Sequence, residues 1–126
     1  TRLHASTAVE SFGVICLDAR GAVIGADIIA TGTLTSCLVH PREVYGAAIE
    51  LRAANIVIFH NHPSGDPLPS PEDIQLTEVL AKAGLIVGIP LVDHVILGDT
   101  GYHTIDCIQF NEPAVEMLRV GGKRIQ

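Results

Sequence analysis

Apolar positions along this chain recur in two different rhythms, and the changes of rhythm divide it into elements. Ser11–Leu17 (SFGVICL) is an apolar run, Asp18–Gly21 (DARG) has turn chemistry, and Ala22–Ala30 (AVIGADIIA) is apolar again, so this stretch reads as a β-hairpin. Thr31–Ser36 is polar and turn-like, and Cys37–Val39 has room only for a short strand. From Pro41 the spacing lengthens: Val44, Ala47, Ala48, Leu51 and Ala54 fall three and four residues apart. This predicts a helix over 41–54, with Pro41 at its first position and His40 or a neighbour at the cap. Ile56–His60 (IVIFH) is a buried strand by composition, and Asn61–Pro69, with three prolines, a glycine and an aspartate, is a loop. Ser70 then caps a second helix: Pro71 suits its first turn, Asp73 stands at the capping-box position, and Ile74, Leu76, Val79, Leu80 and Leu85 supply its apolar side.

Pro90–Gly98 predicts a strand, Asp99–Gly101 a turn and Tyr102–Ile108 another strand. Residues 1–9 have no clear period and read as a strand or linker. Pro113–Val120 reads as a short helix and Gly121–Gln126 as a frayed tail. The order ββ–α–β–α–ββ points to an α/β fold, one mixed central β-sheet flanked by helices. No internal repeat or boundary divides residues 1–126, so a single domain is expected, and a chain that opens on Thr1 rather than Met reads as a fragment of a longer protein.

Composition narrows this picture. A hydrophobic content of 48% against 17% charged residues supports a packed core, and 4% aromatics without Trp leaves that core to Val, Ile, Leu and Ala. The net charge of −6, with only eight Lys and Arg, weighs against a domain that grips nucleic acid by its phosphates. Arg2, Arg119, Lys123 and Arg124 lie near the ends and leave the middle poor in positive charge. Cys16, Cys37 and Cys107 are odd in number and form no C-x-x-C pair, so they read as buried thiols in a reducing, cytoplasmic setting. No apolar run reaches the roughly 20 residues of a membrane span, and no signal peptide is visible. Sheet edges leave a homo-oligomer open.

The chemistry lies in residues 60–73, HNHPSGDPLPSPED. His60 and His62 stand at a strand end, where residues two apart point to the same side, so both imidazoles can reach one metal. The Pro-rich loop returns the chain to a helix start carrying Asp73, which completes a His₂-carboxylate set. Three protein ligands with a free fourth position are the mark of a catalytic rather than a structural zinc site. A metal there would lower the pKa of a bound water toward about 7, and a further carboxylate would be needed to carry its proton. Ser70, three residues before Asp73, is placed to stabilise an oxyanion. Each piece has a plainer explanation: His-x-His as surface or core residues, Ser70 and Asp73 as a capping box, the prolines as a stiff turn. Their joint occurrence favours the metal site.

These residues resemble a known family. His-x-His followed after seven residues by Ser-x-x-Asp resembles the JAMM (MPN+, or JAB) metalloprotease motif. The unbroken run from His60 to Asp73 is closer still to the bacterial RadC-like branch, as are Gly32–Leu34, His40–Val44 and Asp93–His94. The resemblance implies a cytidine-deaminase-like JAB/MPN sandwich holding one zinc ion per chain through His60, His62 and Asp73. It also implies a glutamate on an early strand that serves the metal-bound water. Glu10, in Glu10-Ser11-Phe12-Gly13, matches that strand's E-x-x-G start; Asp27 and Glu43 are weaker matches. RadC-like proteins usually carry an N-terminal helix-hairpin-helix region, which these residues do not include, and through which alone DNA is expected as a partner. The family's name is tied to DNA repair, which nothing in this sequence supports.

Asp93 and His94 follow as candidates for orienting a ligand or as a polar pair at a strand end. His4, His40 and His103 lack partners by spacing, and Asp66 reads as a turn residue. Three functions follow: a zinc hydrolase cleaving peptide or isopeptide bonds, a nucleic-acid-associated module with a structural or nuclease-like metal site, or, least favoured, a scaffolding protein with a vestigial site.

Overall fold

A computed structural model describes residues 9–32 and 39–111. The elements are β1 (Glu10–Leu17), β2 (Val23–Gly32), α1 (Pro41–Glu50), β3 (Asn55–Asn61), α2 (Pro71–Val87), β4 (Leu91–Leu97) and β5 (Tyr102–Asp106). The strands form one mixed sheet in the order β2-β1-β3-β4-β5. β1 is antiparallel to both β2 and β3, β3 and β4 are parallel, and β4 and β5 are antiparallel. A parallel neighbour cannot be reached by a tight turn, and α2 supplies the crossover from β3 to β4. The expected α/β mixed sheet with flanking helices is the architecture observed.

One sheet face carries the core. Alternation along β1 buries Glu10, Phe12, Val14 and Cys16, while Ile56, Ile58 and His60 do the same on β3 and His94 and Ile96 on β4. Val44, Tyr45 and Ala48 of α1 and Leu80 and Ala81 of α2 belong to the same buried cluster. The helices touch closely at Gly84, where an added Cβ would lie 2.3 Å from the Tyr45 hydroxyl. That hydroxyl donates to the Leu80 carbonyl at 2.7 Å. In β1, Gly13 has no room for a side chain, because the Phe59 ring and the Asp27 carbonyl occupy the space.

Three boundaries differ from the pattern-based ones by two residues or more. α1 ends at Glu50 rather than residue 54: Arg52 takes a left-handed conformation (φ 54°) and its amide turns back to Ile49, while that of Ala53 reaches Ala48. This is the Schellman closure, with arginine at the position glycine usually fills. Tyr45, packed on α2, joins the buried face, and Leu51 is exposed. Thr31 and Gly32 extend β2 instead of starting a turn. β5 stops at Asp106, whose carboxylate accepts the Ile108 amide at 3.0 Å and caps a helical turn at 108–111. The helix proposed at Pro113–Val120, and all but Val39 of the short strand proposed at Cys37–Val39, lie outside the described residues.

Candidate metal centre

The register of the two central strands brings the first pieces together. Phe12 pairs with His60 across β1 and β3. Continuing that antiparallel register by two residues sets Glu10 opposite His62. Asn61, between the two histidines, holds the junction: its Oδ1 accepts the Ser11 amide at 2.7 Å and its Nδ2 donates to the Val9 carbonyl at 3.1 Å. The backbone on both sides of Glu10 is thereby tied to the end of β3. His62 stays in line because its amide donates to the Leu97 carbonyl of β4.

The loop then turns the chain into α2. Gly65 bends at φ 86° with Asp99 packed against it, and its amide donates to the His62 carbonyl. Asp66 is a turn residue, its Oδ1 accepting the Leu68 amide at 3.1 Å. It also has a contact in the site, since its carbonyl lies 2.8 Å from His62 Nδ1. Ser70 and Asp73 form a full capping box: the Ser70 hydroxyl oxygen accepts the Asp73 amide at 3.1 Å, and Asp73 Oδ2 accepts the Ser70 amide at 2.8 Å. The cap fixes the rotamer of Asp73 and points its carboxylate at the histidines.

Glu10, His60 and His62 each offer a ligand atom, all within 4.8 Å of one another. Asp73 adds to the group: its Oδ1 is 3.2 Å from His60 Nε2 and its Oδ2 is 3.0 Å from His62 Nε2. Glu10 Oε1 lies 3.6 Å from His60 Nε2. Asp27 and Glu43, the other two carboxylates weighed for the role of Glu10, are elsewhere. Asp27 is exposed on β2 beside Ile15 and Phe59, and Glu43 is exposed on α1 beside Arg42. His40 caps α1 through its backbone only, and His103 is exposed on β5. His4 lies outside the described residues. Cys16 and Cys107 are buried free thiols, and Cys37 is outside the described residues.

His94 comes from β4 into the same buried layer. Its Nε2 is 2.8 Å from His60 Nδ1, and its Nδ1 is 2.6 Å from the Thr77 hydroxyl. The neighbouring Asp93 accepts the His94 amide at 2.9 Å. Asn61 and Thr77 were not singled out by the sequence. The signal for Thr77 was its place one helical turn after Asp73; for Asn61 it was a buried amide between two histidines.

The electrostatics are those of a buried carboxylate–imidazole cluster. Burial pushes the Glu10 carboxyl above its ordinary value, while the neighbouring imidazoles of His60 and His62 draw it back. Burial also acts to raise Asp73, but its contacts with His60 and Ser70 outweigh this and hold it well below the usual carboxylate range. Burial, reinforced by His60, pushes His94 down to about 3, so its imidazole is neutral.

The donor set fits a metal on two counts. His60 Nε2 is buried without a hydrogen-bond partner, in the middle of the cluster. His62 Nδ1 faces a carbonyl, which can only accept, so a proton sits there and Nε2 is the nitrogen turned toward Asp73. Imidazole nitrogens and carboxylate oxygens that converge at 3.0–3.2 Å form a donor set that a cation can bridge.

The fold and this cluster define an α/β module built around imidazole and carboxylate groups able to hold a metal, the arrangement metal-dependent hydrolases use. Residues 1–108 match the family model described as RadC-like JAB domain, and the chain belongs to that family. It is similar to a UPF0758 protein of Caldanaerobacter subterraneus subsp. tengcongensis, 50% identical over 90 residues, which are 71% of this chain and 39% of that protein. A UPF0758 protein of Symbiobacterium thermophilum is 47% identical over 98 residues, 78% of this chain and 42% of the relative. One of Thermotoga maritima is 51% identical over 93 residues, 74% and 42% of the two chains. The chain thus spans about two fifths of the length of the curated relatives it matches, 39% and 42% in these cases. Among the described residues no helix is long and apolar enough to cross a membrane.

Proposed function

We propose that this domain is a zinc-dependent hydrolase acting on amide bonds in peptide or isopeptide-linked protein substrates. The observation that carries the proposal is the partnerless, buried His60 Nε2, set among Glu10, His62 and Asp73. In this reading His60, His62 and Asp73 hold the zinc. Zinc, when bound, supplies Lewis acidity, which makes water nucleophilic near neutral pH and polarises a carbonyl.

The chain's own groups do the rest. Glu10 takes a proton as water oxygen bonds to the amide carbon, and delivers it to the leaving nitrogen as the C–N bond breaks. Its raised pKa favours both halves of that transfer. Ser70 accepts the Asp73 amide through its oxygen, so its own hydroxyl proton is left to donate to the developing oxyanion. Asp66 and the capping box keep His62 and Asp73 in their orientations.

Protein purified without chelator is expected to contain about one zinc per chain, and His60→Ala or His62→Ala to abolish it. Metal-loaded protein should cleave members of a peptide and isopeptide panel and leave phosphodiesters intact. Absence of stoichiometric metal would overturn the proposal; cleavage of DNA instead of amides would move the site to the nucleic-acid reading.

A further inference from the structure

His60 is held from behind by a chain of three contacts, all buried. The Thr77 hydroxyl is 2.6 Å from the Asp73 carbonyl and 2.6 Å from His94 Nδ1. His94 Nε2 is 2.8 Å from His60 Nδ1. Thr77 and His94 are fully buried. The Phe12 ring stacks along His60 at 5.8 Å and meets His94 edge-on at 5.9 Å, closing this side of the cluster with an apolar surface.

The proton positions in such a chain are not free. A carbonyl can only accept, so the single hydroxyl proton of Thr77 goes to Asp73. Thr77 oxygen must then accept from His94, which puts the His94 proton on Nδ1. A neutral His94 is left with a lone pair on Nε2, and that nitrogen accepts from His60 Nδ1. The only nitrogen of His60 left without a proton is Nε2, which is also the one without a hydrogen-bond partner. In the opposite assignment Thr77 and the Asp73 carbonyl would face each other at 2.6 Å without a proton between them.

We infer that Thr77 and His94 are positioning residues that lock His60 into the Nδ1–H tautomer, so that its Nε2 lone pair is turned permanently to the metal position. The relay starts from the backbone of Asp73 itself. One element, α2, thus sets both the carboxylate and, through β4, the tautomer of the histidine opposite it. An imidazole stands where a carboxylate or backbone carbonyl commonly orients a metal-bound histidine. The inference rests on the zinc reading above for its purpose, but the tautomer exists without metal and is tested without it.

Long-range proton–nitrogen NMR of metal-free, isotope-labelled protein, at a pH about two units above the ordinary imidazole value, reads the tautomers directly. His60 and His94 should both carry their proton on Nδ1, with His94→Gln and His60→Gln used to assign the signals. In Thr77→Val, which keeps the shape and removes the hydroxyl, the His94 preference should be lost and zinc affinity, measured by chelator competition, should fall about 10- to 100-fold. Thr77→Ser should restore both. A wild-type His60 protonated on Nε2 overturns the inference whether or not the variants fold. So does a folded Thr77→Val protein with unchanged zinc affinity. Wild-type protein that shows the expected tautomers and binds no zinc leaves the relay standing and defeats the zinc reading instead.

Discussion

At the scale of single residues, the neighbours of a side chain decide what it can do. Glu10 is a glutamate at a strand start by sequence, but burial raises its pKa against the pull of the two imidazoles beside it. If it carries the proton, Glu10→Gln should keep zinc and lose hydrolysis by about 10²- to 10⁴-fold, read from kcat alongside metal content. Cys107 responds to its surroundings in a different way. Burial, with Asp93 and Asp106 adding negative charge, pushes its thiol from 9.0 up to about 12. Burial likewise raises the Tyr45 hydroxyl. Both groups lose protons more readily in the unfolded chain, so above pH 9 the unfolded state binds fewer protons and stability falls as pH rises. The contribution is complete below that value and disappears toward pH 12. Urea midpoints should therefore drop across this alkaline window, and Cys107→Ala with Tyr45→Phe should flatten the drop; an equally steep drop in the double variant would refute the assignment.

At the scale of elements, α1 and α2 close with the same left-handed geometry built from different residues. Gly88 sits at φ 82° after α2, and Arg52 at φ 54° after α1. An L side chain in this region costs roughly 1–2 kcal/mol, which glycine avoids. Gly88→Ala meets no neighbouring atom, so its effect isolates the backbone term, and it should destabilise by about 1 kcal/mol. Arg52→Gly should stabilise by up to about 1 kcal/mol, since the same strain is removed. Denaturant titration of the two variants should give shifts of opposite sign. The two helix ends also explain where the hydrophobic pattern was legible. Around α2, the serine, the proline and the capping aspartate announce the start, and the structure begins the helix there. Around α1 an arginine takes the place of the stop signal, so the apolar spacing carried the expected helix past its end and assigned Leu51 to the wrong side.

At the scale of the molecule, the cluster links parts of the chain that are remote in sequence. Glu10 comes from β1, His60 from β3, His62 from just beyond it and Asp73 from α2. A cation bound among them stabilises only the folded arrangement. Zinc in 100-fold excess over its Kd should add about 2.7 kcal/mol to the unfolding free energy. The melting temperature should rise with zinc and return with chelator, and His60→Ala should show neither change. An equal rise in His60→Ala would mean that the ion binds elsewhere.

What the sequence determined by itself is what local chemistry can carry. The His-x-His at a strand end, the turn at Asp66 and the Ser–Asp cap depend on residues a few positions apart, and so do the periods that separate strands from helices. The tertiary structure decided what depends on pairing between distant segments. Glu10 faces His62 because β1 and β3 meet with Phe12 against His60, and a slip of one residue would turn the carboxylate to the other face of the sheet. Asp27, equally acidic and on the adjacent strand, lies exposed on β2 at the edge of the sheet. His94 reaches His60 only because α2 carries the chain over to a parallel β4, with Thr77 on the way. Spacing along the chain contains no record of that register, which is set by burying one face of the whole sheet at once.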